Sequence, residues 1–94
     1  MKLAWSPRSI RNLAAHLRRI ERESGQNSEL VAGRIAKSVF LLETQPEMGR
    51  PGRVSGTREL VVPDTQYIIP YRVRRDRLQL IAVLDGHREW PTKV

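Results

Sequence analysis

The chain has no cysteine. That excludes a disulfide scaffold, a thiolate metal site and a cysteine nucleophile, and it fits a reducing compartment. Long apolar runs are missing too. The longest, Leu80-Ile81-Ala82-Val83-Leu84, falls far short of the ~20 residues a membrane helix requires. The opening Met1-Lys2-Leu3-Ala4-Trp5-Ser6-Pro7 lacks the apolar core of a secretory signal. The expected location is therefore the cytoplasm, with no membrane partner. Histidine is scarce: His16 and His87, without cysteine or a spaced carboxylate motif, do not compose a metal site, and no cofactor is expected. At 94 residues the chain has room for one domain, 1–94, and none for separate cofactor and substrate domains.

Acidic groups are outnumbered. Ten Asp and Glu face seventeen Lys and Arg, fourteen of them Arg, for a net charge of +7. Such a field attracts nucleic acid, an anionic membrane surface or an acidic protein. The competing reading is an arginine-rich coding bias that carries no function. With 39% hydrophobic and 29% charged residues, the balance is that of a folded domain rather than a disordered one.

Lys2 to Trp5 reads as a short edge strand. Ser6-Pro7 then has the form of a helix start, Ser6 as N-cap and Pro7 at the first helical position. Ile10, Leu13, Ala14, Leu17 and Ile20 recur at helical spacing, and Ser24-Gly25-Gln26-Asn27 supplies a glycine for the C-terminal cap. Ser28 is placed to cap a second helix, Glu29 to Glu43, with Ala32, Ile35, Ala36, Val39 and Leu42 as its apolar stripe. Gly33 weakens that helix. The short linker predicts an antiparallel helical hairpin.

A breaker-rich loop, Gln45 to Gly56, leads into three β-like runs. Thr57 to Val62 ends at Pro63-Asp64, Gln66 to Arg74 ends at the tight Arg75-Asp76 turn, and Leu78 to Leu84 ends at Asp85-Gly86. Their close spacing predicts an antiparallel meander. Pro70 removes a ladder donor, so an edge position or a bulge is expected beside it. The reading is an α+β fold of order β-α-α-β-β-β: an N-terminal strand and an antiparallel two-helix hairpin on one face of a small antiparallel sheet. The other face has no helix left to cover it.

The strings Trp5-Ser6-Pro7, Pro46-Glu47-Met48-Gly49-Arg50, Gly56 to Val62, Tyr67 to Val73, and Ile81 to Pro91 occur in order and at the spacing of one family. On these the chain resembles the RelE/ParE superfamily, toxins of bacterial type II toxin–antitoxin modules, over essentially its whole length. The resemblance implies a growth-inhibiting toxin neutralised by a cognate antitoxin encoded beside it, with operator DNA bound only through the antitoxin complex. RelE-like members cut messenger RNA on the ribosome, whereas ParE-like members poison DNA gyrase.

Metal-free RNA cleavage needs groups that deprotonate the 2′-hydroxyl, hold the developing phosphate charge and protonate the leaving oxygen. Arginine suits the second task and is a poor proton shuttle. By the resemblance, Arg58 and Arg88 match basic positions of the ribonuclease members. Ile68 stands where those members carry an arginine, Leu60 where they carry a second basic residue, and Trp90-Pro91 where they carry a tyrosine. The half-empty set favours the ParE-like reading. If the protein is a ribonuclease, Arg58, Arg88 and His87 are the catalytic candidates, with Tyr67 or Tyr71 as further proton-transfer groups. Otherwise Arg58, Arg72, Arg88 and Trp90 are candidates for binding the target or the antitoxin. A third reading is an inactive member that only binds antitoxin.

Each candidate also has a structural reading. His87 after Gly86 reads as a solvated turn residue, and His16 as packing at the border of the first helical stripe. Tyr67, Ile69, Tyr71 and Val73 alternate onto one face as core. Trp5 and Trp90 read as packing. Arg58, Arg72 and Arg88 are expected near one another on the uncovered face, either as a contact surface or as forks tied to Glu59, Asp85 or Glu89.

Overall fold

A computed structural model of the chain describes residues 1–24 and 27–87. Strand β1 (Lys2–Trp5) leads into helix α1 (Pro7–Arg19). A π-helical turn, Ile20–Ser24, extends α1, and helix α2 (Ser28–Leu42) follows. The rest is β2 (Arg50–Pro51), β3 (Arg58–Val61), β4 (Tyr67–Arg74), β5 (Arg77–Leu80) and β6 (Leu84–Asp85). The sheet order is β1-β5-β4-β3-β2, with β6 pairing the start of β4. Strands β3, β4 and β5 form the antiparallel meander, and β1 joins it at the edge by parallel pairing with β5. The α+β expectation holds, with a two-residue β2 that the sequence did not signal.

Ser6 caps α1 as its position implies: its Oγ accepts from the Ser9 amide at 3.0 Å and donates to the Ile81 carbonyl at 2.8 Å. The cap of α2 lies one residue earlier than expected. Asn27 Oδ1 accepts from the amides of Glu29 and Leu30 at 2.9 and 3.3 Å, which frees Ser28 Oγ to donate to Glu21 Oε1 at 3.0 Å. The expected Gly25 cap lies outside the described residues. The five-residue β3–β4 connection and the two-residue β4–β5 turn each carry the αL conformation at a non-glycine residue, Asp64 (φ 60°) and Arg75 (φ 58°).

The core joins Val31, Ile35, Val39 and Leu42 of α2 to Leu60, Tyr67, Ile69, Tyr71, Leu78 and Leu80 of the sheet. Leu3 and Trp5 pack against it, partly buried. Two stripe assignments need correction. Ala36 is exposed, and its place on the buried face of α2 is taken by Val31 and Ser38. In α1, Ile10 is 55% exposed whereas Ser9 is fully buried. The buried side of α1 takes in Ser9, Asn12 and His16 as well as Leu13 and Leu17, because the broken strand beneath it offers the Val83 amide and carbonyl in addition to apolar side chains.

That segment is Ile81–Val83, where the third expected run breaks into β5 and β6. Pro70 explains the break. Its carbonyl accepts from the Ile81 amide at 2.9 Å, and in an extended strand a residue's N–H and C=O point to the same side. The donor that proline lacks would therefore face Ile81–Val83. Strand β4 is central, and the irregularity sits in its neighbour.

Gly33 lies inside α2 with its surroundings open: nothing stands within 4 Å of where a Cβ would be. Gly33→Ala is expected to stabilise the fold by up to about 1 kcal/mol, raising Tm by roughly 4–8 °C for a domain of this size. Thermal melting followed by circular dichroism checks this, and an unchanged or lower Tm contradicts it.

Candidate functional site

The β3–β4 register decides where the candidate residues go. Arg58 stands opposite Tyr71, and Glu59 opposite Pro70. Arg58 therefore shares the helix-covered face with Leu60, Tyr71 and Ile69. Arg72 stands opposite Gln79 on the other face. The expected cluster of Arg58 with Arg72 on the uncovered side is not formed, because the register between strands places Arg58 one parity step away. Arg88 and Trp90 lie outside the described residues.

Arg58 and Tyr71 together hold the loop that leads from α2 to β2. The Tyr71 hydroxyl donates to the Pro46 carbonyl at 2.7 Å and accepts from the Gly49 amide at 2.9 Å. Arg58 Nη1 donates to the carbonyls of Gly49 and Glu47 at 2.8 and 3.3 Å. Position 49 must be glycine for this approach: a Cβ there would lie 2.6 Å from the Tyr71 ring and hydroxyl. From the outer face, buried Glu59 holds the next stretch of the same loop. Its Oε1 pairs with Arg50 Nε and Nη2, both at 3.0 Å, and its Oε2 accepts from the Arg53 amide at 2.9 Å. The fork tied to Glu59 is thus Arg50.

The Tyr71 ring is fully buried. Burial raises the phenol's pKa above its ordinary value, against smaller lowering effects of the Gly49 N–H and the Arg58 charge. Its hydroxyl already donates once and accepts once, so it has no proton to offer a substrate in this arrangement.

A polar seam that the sequence reading missed joins α1 to the broken strand. Asn12 Oδ1 accepts from the Val83 amide at 3.1 Å. His16 Nε2 lies 2.7 Å from the Val83 carbonyl, and a carbonyl only accepts, so Nε2 carries a proton. The His16 ring rests on Tyr67, centroids 4.8 Å apart. Arg19 pairs with Asp85 at 3.1 Å, and Gln66 Nε2 donates to the same Oδ2 at 2.8 Å. Asp85 Oδ1 accepts from the His87 amide at 2.9 Å, and His87 itself is an exposed turn residue. No sequence pattern marks this seam, because it answers a strand break that only the folded pairing reveals. Among the described residues no three His, Asp or Glu side chains stand where they could hold a metal ion. No helix among them is long and apolar enough to cross a membrane.

Tyr71→Phe is expected to cost about 1–3 kcal/mol by leaving the Gly49 amide and the Pro46 carbonyl unpaired. It should also alter the pH profile. Because Tyr71's pKa is raised in the folded chain, its contribution is complete below the ordinary phenol pKa of ~10 and is lost as pH rises through the folded value. Denaturant unfolding from pH 8 to 11 should show a loss above pH 10 that is smaller in Tyr71→Phe. Equal slopes in both proteins contradict the buried hydroxyl.

Comparison with known proteins places this geometry. The family described as "ParE toxin of type II toxin-antitoxin system, parDE" matches residues 3–90. A Sinorhizobium fredii protein named "Putative toxin Y4kP" is 39% identical over 90 residues, covering 96% of this chain and 93% of that one. A solved structure described as the chromosomal ParDE TA system from P. aeruginosa superposes with a TM-score of 0.76 over 88% of this chain and 92% of the other, at 22% identity.

Proposed function

The chain belongs to the ParE toxin family, and from that premise we propose that it arrests bacterial growth by poisoning DNA gyrase and is silenced by a cognate antitoxin. The observation that carries the gyrase reading is the state of the residues a ribonuclease would use. Arg58 Nη1 is engaged by the Glu47 and Gly49 carbonyls. The Tyr71 hydroxyl is enclosed with both of its roles taken. Ile68, half-buried on the outer face of β4, stands where the ribonuclease members carry an arginine. Near Arg58 the remaining titratable group is the exposed Glu47 carboxylate, which lies close enough to act on Tyr71. Among the described residues no histidine or lysine is bonded to this cluster to complete the proton transfers that RNA transesterification needs.

Antitoxin neutralisation rests on the family and on the charge. A net +7 favours rapid capture by an acidic partner. Arg72, Arg88 and Trp90 are the residues we assign to contact with the target or the antitoxin, and Arg58 to holding the loop that leads from α2 to β2. Operator DNA is reached through the antitoxin complex, and the site of action is the cytoplasm.

The test is induction from a tight promoter in a bacterium, with labelled thymidine and labelled methionine followed over the first minutes. Thymidine incorporation is expected to collapse first. An early collapse of methionine incorporation with DNA synthesis continuing would return Arg58, Arg88 and His87 to a catalytic role. Loss of neither would favour a member that only binds antitoxin.

A further inference from the structure

The outer face of the sheet carries four cations that the loop and the helices leave alone. Strand pairing sets Arg77 directly between Lys2 of β1 and Arg74 of β4. Three positive side chains thus stand abreast on three strands, spanning roughly 10 Å at the usual strand spacing. Arg72 follows two residues from Arg74 on the same face, across from Gln79. These four line a concavity of about 480 Å³, floored on this face by Ala4 and Gln79. Among the described residues none of the four side chains makes a hydrogen bond or an ion pair. Other arginines that lie against the sheet are engaged, Arg19 on Asp85, Arg50 on Glu59 and Arg58 on two carbonyls, whereas Lys2, Arg74 and Arg77 are exposed and Arg72 is half-buried.

Like charges directly opposite one another destabilise a sheet. Lys2, Arg77 and Arg74 do so twice in one row, with no compensating contact. A ligand that brings the opposite charge turns this repulsion into binding energy. We propose that this concavity binds phosphate groups, supplied by the sugar-phosphate backbone of a nucleic acid strand. Arginine's planar fork matches phosphate oxygens, and three of the four cations are Arg. The lining has no aromatic side chain on which a base would stack; its apolar members are Ala4, Leu3 and Leu78, of which Leu78 is fully buried, so the row of cations outweighs any apolar anchor for a peptide. Binding is therefore to the backbone and independent of base sequence. The site lies on the opposite sheet face from Arg58 and does not depend on the gyrase reading.

The experiment is fluorescence anisotropy with labelled 20-nucleotide single strands of DNA and RNA against the purified chain over a series of salt concentrations. Four phosphate contacts imply a slope of log K against log salt near −3 for a single strand. The double variant Arg74→Gln/Arg77→Gln is compared with Arg11→Gln/Arg18→Gln, which removes the same charge from exposed positions of α1. The patch variant is expected to bind at least tenfold more weakly and to flatten the slope by about 1.4, while the control stays within twofold. Thermal melts at low salt show that both are folded, and relief of the Arg74–Arg77 repulsion should leave the patch variant at least as stable as the parent. Tripolyphosphate and poly-glutamate serve as competitors. Equal loss in both variants, displacement by tripolyphosphate at concentrations matching the oligonucleotide, or equally effective competition by poly-glutamate would overturn the proposal. The first would mean net charge alone, the second a free polyphosphate ligand, the third an acidic peptide.

Discussion

The cross-strand pairing of Arg58 with Tyr71 is the contact on which the candidate site depends. It puts two long polar side chains on the face that also meets α2, where unpaired polar atoms are costly. Both find their partners in the Pro46–Gly49 backbone. The loop is thereby drawn against the sheet, and Gly49 is confined to a residue without a side chain. Glu59, the next residue along β3, then reaches from the other face to Arg50 and the Arg53 amide. Two adjacent residues of one strand fasten one loop from opposite sides, and the β2 segment that follows is short because these side chains, more than a ladder, hold it.

A second chain of cause begins at Pro70. Its missing donor faces Ile81–Val83, and the sheet opens there. The freed Val83 amide and carbonyl turn to Asn12 and His16, so α1 docks through these polar groups together with Leu13 and Leu17 and leaves Ile10 in solvent. The strand that resumes as β6 brings Asp85 to Arg19 and Gln66. One proline thus bears on which side of a distant helix is buried, and Asp85 fastens the resumed strand to α1.

Local signals in the sequence were legible wherever the cause is itself local. Ser6-Pro7 marks the start of α1, Pro63-Asp64 and Arg75-Asp76 mark the turns, and the alternation of Tyr67, Ile69 and Tyr71 marks their common face. Apart from the cap of α2, one residue off, the misreadings concern relations between elements. Alternation along β3 fixes that Arg58 and Glu59 face opposite ways but not which of them faces the helices, since that is set by register against β4. Helical periodicity finds apolar residues and is blind to a face whose partners are backbone amides, so the stripe of α1 was drawn through Ile10 instead of Ser9. The family's motifs were strong enough to identify the chain, yet a motif position does not reveal what its side chain has been recruited to do. Arg58, expected from the resemblance as a catalytic or binding residue, is bonded through Nη1 to a loop.

Native-state hydrogen exchange at the Gly49 amide tests that conclusion most directly. If Tyr71 and Arg58 clamp the loop, this amide should exchange only with large-scale opening, protected to within about 1–2 kcal/mol of the free energy of global unfolding. Exchange at the rate of an unprotected surface amide would mean that the clamp is open in solution. The Arg58 guanidinium and the Tyr71 hydroxyl would then be free for a substrate, and the case against RNA cleavage would lose its physical basis.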